Sequence, residues 1–224
     1  MTTRDLRDLV NEAEPGWPWV HDLLAESPVS SRVLPCDRTK GGETLLALQV
    51  TTKSPMGAIA YGSAGIFLDY GWLRILGAGG HPYLQRSLTS WNIDRESEGL
   101  LIIADDVLGG TFALNGGALA GPVGHTHYFS PDSLEWEELQ CGYSQFLEWT
   151  TSAGALEEFY ESLRWEGWQD EVAAVSGDQA ISVYPYLFTA GPRIVERSRR
   201  PIPVDQQLEF MYFMRNQLAG GEAT

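Results

Sequence analysis

The stretch that decides the fold reads FALNGG (112–117), GPVGHTHYFSPDSLEWEELQCGYSQFLEW (121–149) and LEEFYESLRWEGW (156–168). Short apolar runs separated by glycines predict strands, and these lead into two segments rich in aromatic residues. Four of the eight tryptophans lie between residues 112 and 168. The stretch is therefore dense in residues that pack a core, and it predicts the fold better than it predicts a reaction.

The aromatic segments have the periodicity of amphipathic helices. Tyr143, Phe146, Leu147 and Thr150 stand at i, i+3, i+4 and i+7, and the same spacing recurs between residues 156 and 163. Apolar residues at this spacing form one buried face of a helix. We therefore predict two consecutive helices whose glutamates face water.

Apolar runs bounded by glycine or proline predict the strands. These runs are residues 45–50, 57–61, 65–70, 72–76, 100–104, 111–114, 123–129 and 181–187. The other predicted segments are two helices before residue 28, a loop over 28–42, irregular structure over 81–98, a linker over 191–204 and a helix over 205–219. Helices at both ends with strands between them predict a single α+β domain over residues 1–224, with a mainly antiparallel sheet flanked by helices.

The last predicted helix has an unusual composition. Phe210, Tyr212, Phe213 and Met214 leave little of its circumference polar. A helix that is apolar all round is buried on more than one side. It therefore either crosses the core or packs on a partner chain, and the second arrangement would make the protein a homodimer.

Charge and composition exclude several classes of function. The chain has 30 acidic and 15 basic residues, which gives a net charge of −15. This balance argues against nucleic-acid binding, which needs clustered Lys and Arg. No apolar run approaches the about 20 residues that cross a bilayer, and the charged N-terminus lacks the apolar core of a signal peptide. We expect a cytoplasmic protein without nucleic-acid or membrane partners.

Two adjacent carboxylates, Asp105 and Asp106, follow the predicted strand over 100–104. Together with Glu96 and Glu98 they are candidates for acid–base chemistry or for binding Mg²⁺. Adjacent residues on a turn usually both face water, so a solvated turn is the favoured interpretation.

His125 and His127 form a pattern with metal-ligand character. Side chains alternate along a strand, so both imidazoles are expected on the same face. A nearby carboxylate or thiolate would complete a zinc site. Val123 and Phe129 share that face and favour two ordinary half-buried histidines, so we predict no cofactor.

Cys141 precedes a predicted helix, and a helix N-terminus can lower the pKa of a thiol. The sequence offers it no His partner in a recognisable signature, and a plain buried cysteine is therefore favoured. Trp165 and Trp168 flank Glu166-Gly167, and Arg164 comes just before them. These two indoles form either an exposed recognition patch, since Trp and Arg dominate binding hot spots, or a part of the core.

Several segments together resemble the bacterial domain-of-unknown-function 2625 family. They are FALNGG (112–117), YFSPDSLEWEEL (128–139), GYSQFLEW (142–149) and FYESLRWEGW (159–168). The resemblance covers most of the chain, and it implies a fold and a class of protein but no catalytic residues.

A wider resemblance is to the SUKH superfamily, over a core of about residues 99–190. LIIADDVLGGTFALN (101–115), GPVGHTHYF (121–129) and YSQFLEW (143–149) follow the order of strands and helix that is typical of its members. Many such proteins resemble immunity proteins, which neutralise secreted toxins through an acidic surface. The extra terminal helices go beyond that core and leave the position of any binding surface open.

These observations predict a non-enzymatic, acidic protein-binding module of the immunity-protein type, with a basic partner such as a toxin. The residues predicted to bind are Asp105, Asp106, Glu135, Glu137 and Glu138 through charge, and Trp165 and Trp168 as anchors. The alternative is a hydrolase, metal-dependent or acting on a small ligand, that uses His125 and His127.

Overall fold

The structure is a computed structural model that describes residues 3–92 and 99–221, with side chains described up to residue 218. Its strands are β1 (Ser31–Leu34), β2 (Gly65–Leu68), β3 (Leu73–Leu76), β4 (Leu100–Asp106), β5 (Thr111–Asn115), β6 (Thr126–Phe129), β7 (Trp136–Glu138), β8 (Gln179–Tyr184) and β9 (Ser198–Pro203). Its α-helices are α1 (Leu6–Leu9), α2 (Trp17–Glu26), α3 (Arg38–Leu48), α4 (Pro55–Gly62), α5 (Leu88–Asn92), α6 (Tyr143–Thr150), α7 (Ala155–Phe159), α8 (Trp168–Ala173) and α9 (Val204–Gly221).

Seven strands, β1 to β7, form one sheet in chain order, and every neighbouring pair is antiparallel. Antiparallel neighbours can be joined by short turns, which is why consecutive strands can lie side by side. Strands β8 and β9 form a separate antiparallel pair. The predicted α+β class with a mainly antiparallel sheet is confirmed.

Two of the predicted strands are helices instead. Residues 45–48 belong to α3, and residues 57–61 lie within α4. Short apolar runs cannot be assigned to a strand or a helix by periodicity alone, and here the caps decide. The Asp37 side chain accepts from the N–H of Thr39, and the Ser54 side chain accepts from the N–H of Gly57. Both are N-cap arrangements, which begin a helix.

The segments predicted as loop, irregular structure and linker contain regular elements. Residues 28–42 include β1 and the start of α3, residues 81–92 include α5, and residues 191–204 include β9, which pairs with β8. Strand β8, predicted as the last one, is therefore followed by another. The sequence hides β9 because its residues are mostly exposed and include two prolines. Residues 93–98, with Glu96 and Glu98, lie outside the described part of the chain.

The aromatic helices pack on the sheet as their periodicity predicts. Helix α6 buries Phe146 and Leu147, and α7, continued by a 3-10 turn, buries Leu156 and Tyr160. The ring of Trp72, which is fully buried, lies 5.3 Å from that of Tyr160. The core thus centres on aromatic contacts between the sheet and these helices.

Helix α9 is buried on one face only. Val204, Gln207, Leu208 and Met211 are buried at helical spacing, whereas Phe213 is 57% exposed. The helix does not cross the core, and dimerisation through its outer face stays a prediction. Neither α9 nor any other helix in the described residues is long and apolar enough to cross a membrane.

Candidate functional site

The predicted acidic pair, Asp105 and Asp106, lies at the end of β4 and is fully buried. The expected solvated turn is wrong, because β4 pairs with β3 on one side and with β5 on the other up to these residues. Successive side chains of a strand point to opposite faces, so the two carboxylates enter different surroundings. In this fold neither carboxylate lies at the surface.

Asp105 lies between two guanidinium groups. Arg74 stands directly opposite it in the pairing of β3 with β4, and its Nη2 donates to Asp105 Oδ2 at 2.9 Å. Arg86 Nη2 donates to the same oxygen at 2.7 Å. Arg74 also donates to the carbonyl of Gln179 at 2.5 Å, and Arg86 to that of Gly177 at 3.0 Å. This buried network ties the centre of the sheet to the segment that enters β8.

Asp106 accepts hydrogen bonds from neutral donors. The backbone N–H groups of Leu108 and Gly110 donate to Oδ1 at 2.8 and 2.9 Å. The hydroxyls of Tyr128 and Tyr160 donate to Oδ2 at 2.6 and 3.2 Å. Burial raises the pKa of Asp106, and the bonds from Tyr128 and the backbone offset part of that rise.

A cleft of about 680 Å³ opens beside the turn Asp69–Gly71, which joins β2 to β3. In this turn Asp69 and Tyr70 have φ angles of 52° and 61°. Such angles are uncommon for residues other than glycine, and they concentrate at functional sites. The N–H of Asp69 donates to the Ser30 carbonyl at 2.7 Å and that of Tyr70 to the Ser30 hydroxyl at 2.9 Å, which holds the turn in place.

Arg164 lines the cleft. Its Nη2 bonds to the carboxylate of Asp69. Its guanidinium carbon lies 4.2 Å from the centre of the Trp168 ring and 5.0 Å from that of Trp72. Stacking on two indoles and pairing with a carboxylate fix this arginine as a part of the wall.

The walls combine aromatic surface with negative charge. Trp165 and Trp168 both line the cleft, but they are only 4% and 8% exposed, so they belong to the core. Tyr70 is 56% exposed, and its ring packs edge-on against Trp168 with 5.9 Å between the ring centres. Exposed carboxylates line the same cleft, namely those of Glu157, Glu161 and Glu166.

The other predicted acidic residues lie elsewhere. Glu135 precedes β7, and Glu137 and Glu138 belong to it. Strand β7 is at the edge of the sheet, and β4, β5 and β6 separate it from β3 and the cleft. The structure therefore does not bring these carboxylates together with Trp165 and Trp168.

The two histidines face different partners. His127 is 3% exposed, and its Nε2 lies 3.0 Å from the carbonyl oxygen of Ala120. His125 precedes β6, and its Nδ1 lies 2.7 Å from Glu138 Oε1. Val123, expected beside them on a half-buried face, is 73% exposed, because the strand begins only at Thr126. Within residues 3–92 and 99–221, no three His, Cys, Asp or Glu side chains are placed to hold a metal ion.

The cleft could be found only in part from the sequence. The sequence identifies Trp165 and Trp168 as candidates, but it places Asp69 and Tyr70 in a predicted strand that in fact ends at Leu68. The available signal was the order Asp-Tyr-Gly between two apolar runs, which is typical of a turn. The bond between Arg164 and Asp69 spans 95 positions, and nothing in the sequence pattern predicts it.

The geometry thus defines an α+β protein with an acidic, aromatic cleft. A family model described as "Protein of unknown function DUF2625" matches residues 6–207, and the chain belongs to this family. It is 42% identical to a protein of Escherichia coli described as "Putative uncharacterized protein YbfG", over 95% of this chain and 97% of that one. It is 33% identical to an uncharacterized protein of Haemophilus influenzae, over 95% of both chains.

The raised pKa of Asp106 predicts how its contribution to stability changes with pH. The folded carboxyl holds its proton more tightly than the unfolded one, whose pKa is about 3.9. Its contribution is therefore full below about pH 4 and is lost as pH rises through the folded pKa, by at most about 1.4 kcal/mol per pH unit. The quantity to measure, by urea titration, is the free energy of unfolding of the wild type minus that of Asp106→Asn. We expect this difference to fall as pH rises from about 4 through the folded pKa.

The exposed Gln206→Asn, which exchanges one uncharged amide for another, is the control, and its difference from the wild type should change little with pH. If the free energy of unfolding of the wild type minus that of Asp106→Asn grows as pH rises, hydrogen bonding outweighs burial in setting the pKa of Asp106, and the predicted direction is wrong.

Burial raises the pKa of both thiols, Cys36 and Cys141, so the helix that follows Cys141 does not activate it. Because the thiolate is the reactive form, both cysteines should react with a disulfide reagent more slowly than free glutathione near pH 8. Cys36→Ser and Cys141→Ser report on each thiol separately. A thiol that reacts faster than glutathione would contradict the raised pKa.

Proposed function

We propose that this protein is a non-enzymatic binding module whose acidic cleft receives a cationic side chain of a basic protein partner. The observation that carries the proposal is the combination of the exposed Tyr70 ring with three carboxylates around one cleft. An aromatic ring attracts a cation over its face, and a nearby carboxylate adds a charged hydrogen-bond acceptor. A lysine or arginine side chain matches both features.

The total charge of the chain supports the same partner. A net charge of −15 steers a basic protein toward an acidic surface and raises the association rate, more so at low salt. Arg164, the cation within the cleft, is already paired with Asp69, which leaves Glu157, Glu161 and Glu166 free to face a ligand.

An immunity-type role, with a toxin as the basic partner, is the finer form of this proposal. It is supported by the sequence resemblance described above, whose strands and helix correspond to β4, β5, β6 and α6, with β7 standing between β6 and α6. In this form the module acts by occlusion. When the partner is bound at the cleft, the module covers the basic surface of the partner. Compared with the residues predicted from sequence, Tyr70 replaces the indoles as the exposed anchor, and the glutamates of the cleft replace the buried aspartates.

The first test measures binding of a fluorescent arginine-rich peptide by anisotropy at low and at moderate salt. Tyr70→Gly removes the ring, and glycine tolerates the positive φ of this position, so the fold should hold. We expect Tyr70→Gly to weaken binding about two- to fivefold, since a cation–π contact at an exposed site is worth about 0.5–1 kcal/mol. Glu161→Gln should weaken binding and reduce its dependence on salt.

Matched controls lie outside the cleft. Tyr184 is 63% exposed on β8, and Glu209 is exposed on α9. Tyr184→Ala and Glu209→Gln should bind the peptide as the wild type does. Equal losses from Glu161→Gln and Glu209→Gln would mean that the peptide senses only total charge, and equal losses from Tyr70→Gly and Tyr184→Ala would mean that it does not use the cleft; either result would make the proposal wrong.

A pull-down from lysate of the native organism then asks for the protein partner. A basic protein retained by the wild type and by Tyr184→Ala, but lost with Tyr70→Gly, is the expected result. A partner retained equally by all three would place its binding site outside the cleft.

A further inference from the structure

A second cavity, of about 470 Å³, lies among helices α1 to α4. Its lining includes the rings of Trp17 and Tyr61, the small residue Ala58, and one residue of each charge, Arg38 and Glu12. Its volume is within the range of about 300–1,000 Å³ that is usual for small-molecule sites. None of its residues lines the acidic cleft.

Glycines bring the walls of this cavity together. A Cβ on Gly41 of α3 would lie 2.5 Å from the carbonyl oxygen of Tyr61, and one on Gly62 of α4 would lie 2.9 Å from the Trp17 ring. Both contacts are closer than any side chain allows, so only glycine permits these approaches. They bring α3 against α4 and α4 against Trp17, which places both rings at one cavity.

Arg38 is the basic residue in the lining of this cavity. Its guanidinium carbon lies 4.9 Å from the centre of the Tyr61 ring. Within residues 3–92 and 99–221, no acidic side chain forms an ion pair with it, although Glu12 lines the same cavity. A guanidinium in this state can bind a carboxylate through two parallel hydrogen bonds.

We infer that this cavity binds a free amino acid with an aromatic or large apolar side chain. Arg38 receives the carboxylate, Glu12 faces the ammonium group, and Trp17 and Tyr61 hold the side chain. A simple anion would be repelled by Glu12 and a simple cation by Arg38, whereas a zwitterion satisfies both. This inference does not depend on the acidic cleft.

The test uses L-phenylalanine as the probe and follows its binding by ligand-observed NMR. We expect a dissociation constant of about 1 mM. L-Phenylalaninamide lacks the carboxylate and N-acetyl-L-phenylalanine lacks the ammonium group, and each should bind at least about tenfold more weakly. Arg38→Met should weaken L-phenylalanine by a similar factor while leaving the thermal unfolding temperature nearly unchanged, because Arg38 is exposed.

Arg32→Met is the matched control. Arg32 also stacks on aromatic rings, 5.1 Å from the centre of Phe67 and 4.9 Å from that of Tyr83, but it lies outside this cavity. The Arg32→Met variant should bind L-phenylalanine as tightly as the wild type does. Absence of binding to the wild type, equal binding of the amide and the acid, or equal losses from Arg32→Met and Arg38→Met would each overturn the inference.

Discussion

The buried carboxylate of Asp105, shared by Arg74 and Arg86, is the interaction on which the rest of this structure depends. Removing charges from water costs free energy, and a buried ion pair recovers this cost through close geometry and further hydrogen bonds. Asp105 is fully buried and Arg74 is 1% exposed, so neither can turn to solvent if the other is lost. Because Arg74 faces Asp105 across β3 and β4, the network also opposes slippage of this register. Trp72 immediately precedes β3, and the turn Asp69–Gly71 precedes Trp72, so both adjoin this pairing in the chain.

This arrangement divides the acidic residues into two groups with different roles. Asp105 and Asp106 work inside the protein, where they organise guanidinium groups and tyrosine hydroxyls. The glutamates of the cleft remain in water and are free to attract a partner. The cleft and the cavity around Arg38 each combine charged groups with aromatic rings, but they differ in charge. The cleft is predominantly acidic and suits a cation, whereas the cavity carries one residue of each sign and suits a zwitterion.

The sequence predicts those features that arise from local patterns. The spacing of Phe146 and Leu147 identifies α6, and the apolar run from Leu100 identifies β4. It fails where the deciding contact is distant or where the pattern is ambiguous. An apolar run such as 57–61 suits a strand as well as a helix, and the Ser54 cap settles the choice. Asp105 and Asp106 look like a turn because charged residues rarely end a buried strand. Distant partners make the burial tolerable: Arg74 and Arg86, 31 and 19 positions away, for Asp105, and the hydroxyls of Tyr128 and Tyr160 for Asp106. The bond between Arg164 and Asp69, which are 95 positions apart, escapes local patterns for the same reason.

Urea unfolding of Asp105→Asn and Asp106→Asn at neutral pH tests the central claim most directly, because the two variants make the same chemical change at adjacent buried residues. Asp105→Asn leaves two buried guanidinium groups without their shared charge, and we expect a loss of about 3–5 kcal/mol in the free energy of unfolding. Asp106→Asn faces neutral donors, and its amide keeps one acceptor oxygen for the backbone N–H groups, so a loss of about 1 kcal/mol is expected. Equal losses, or a larger loss from Asp106→Asn, would contradict the assignment of Asp105 as the charge that holds the sheet together.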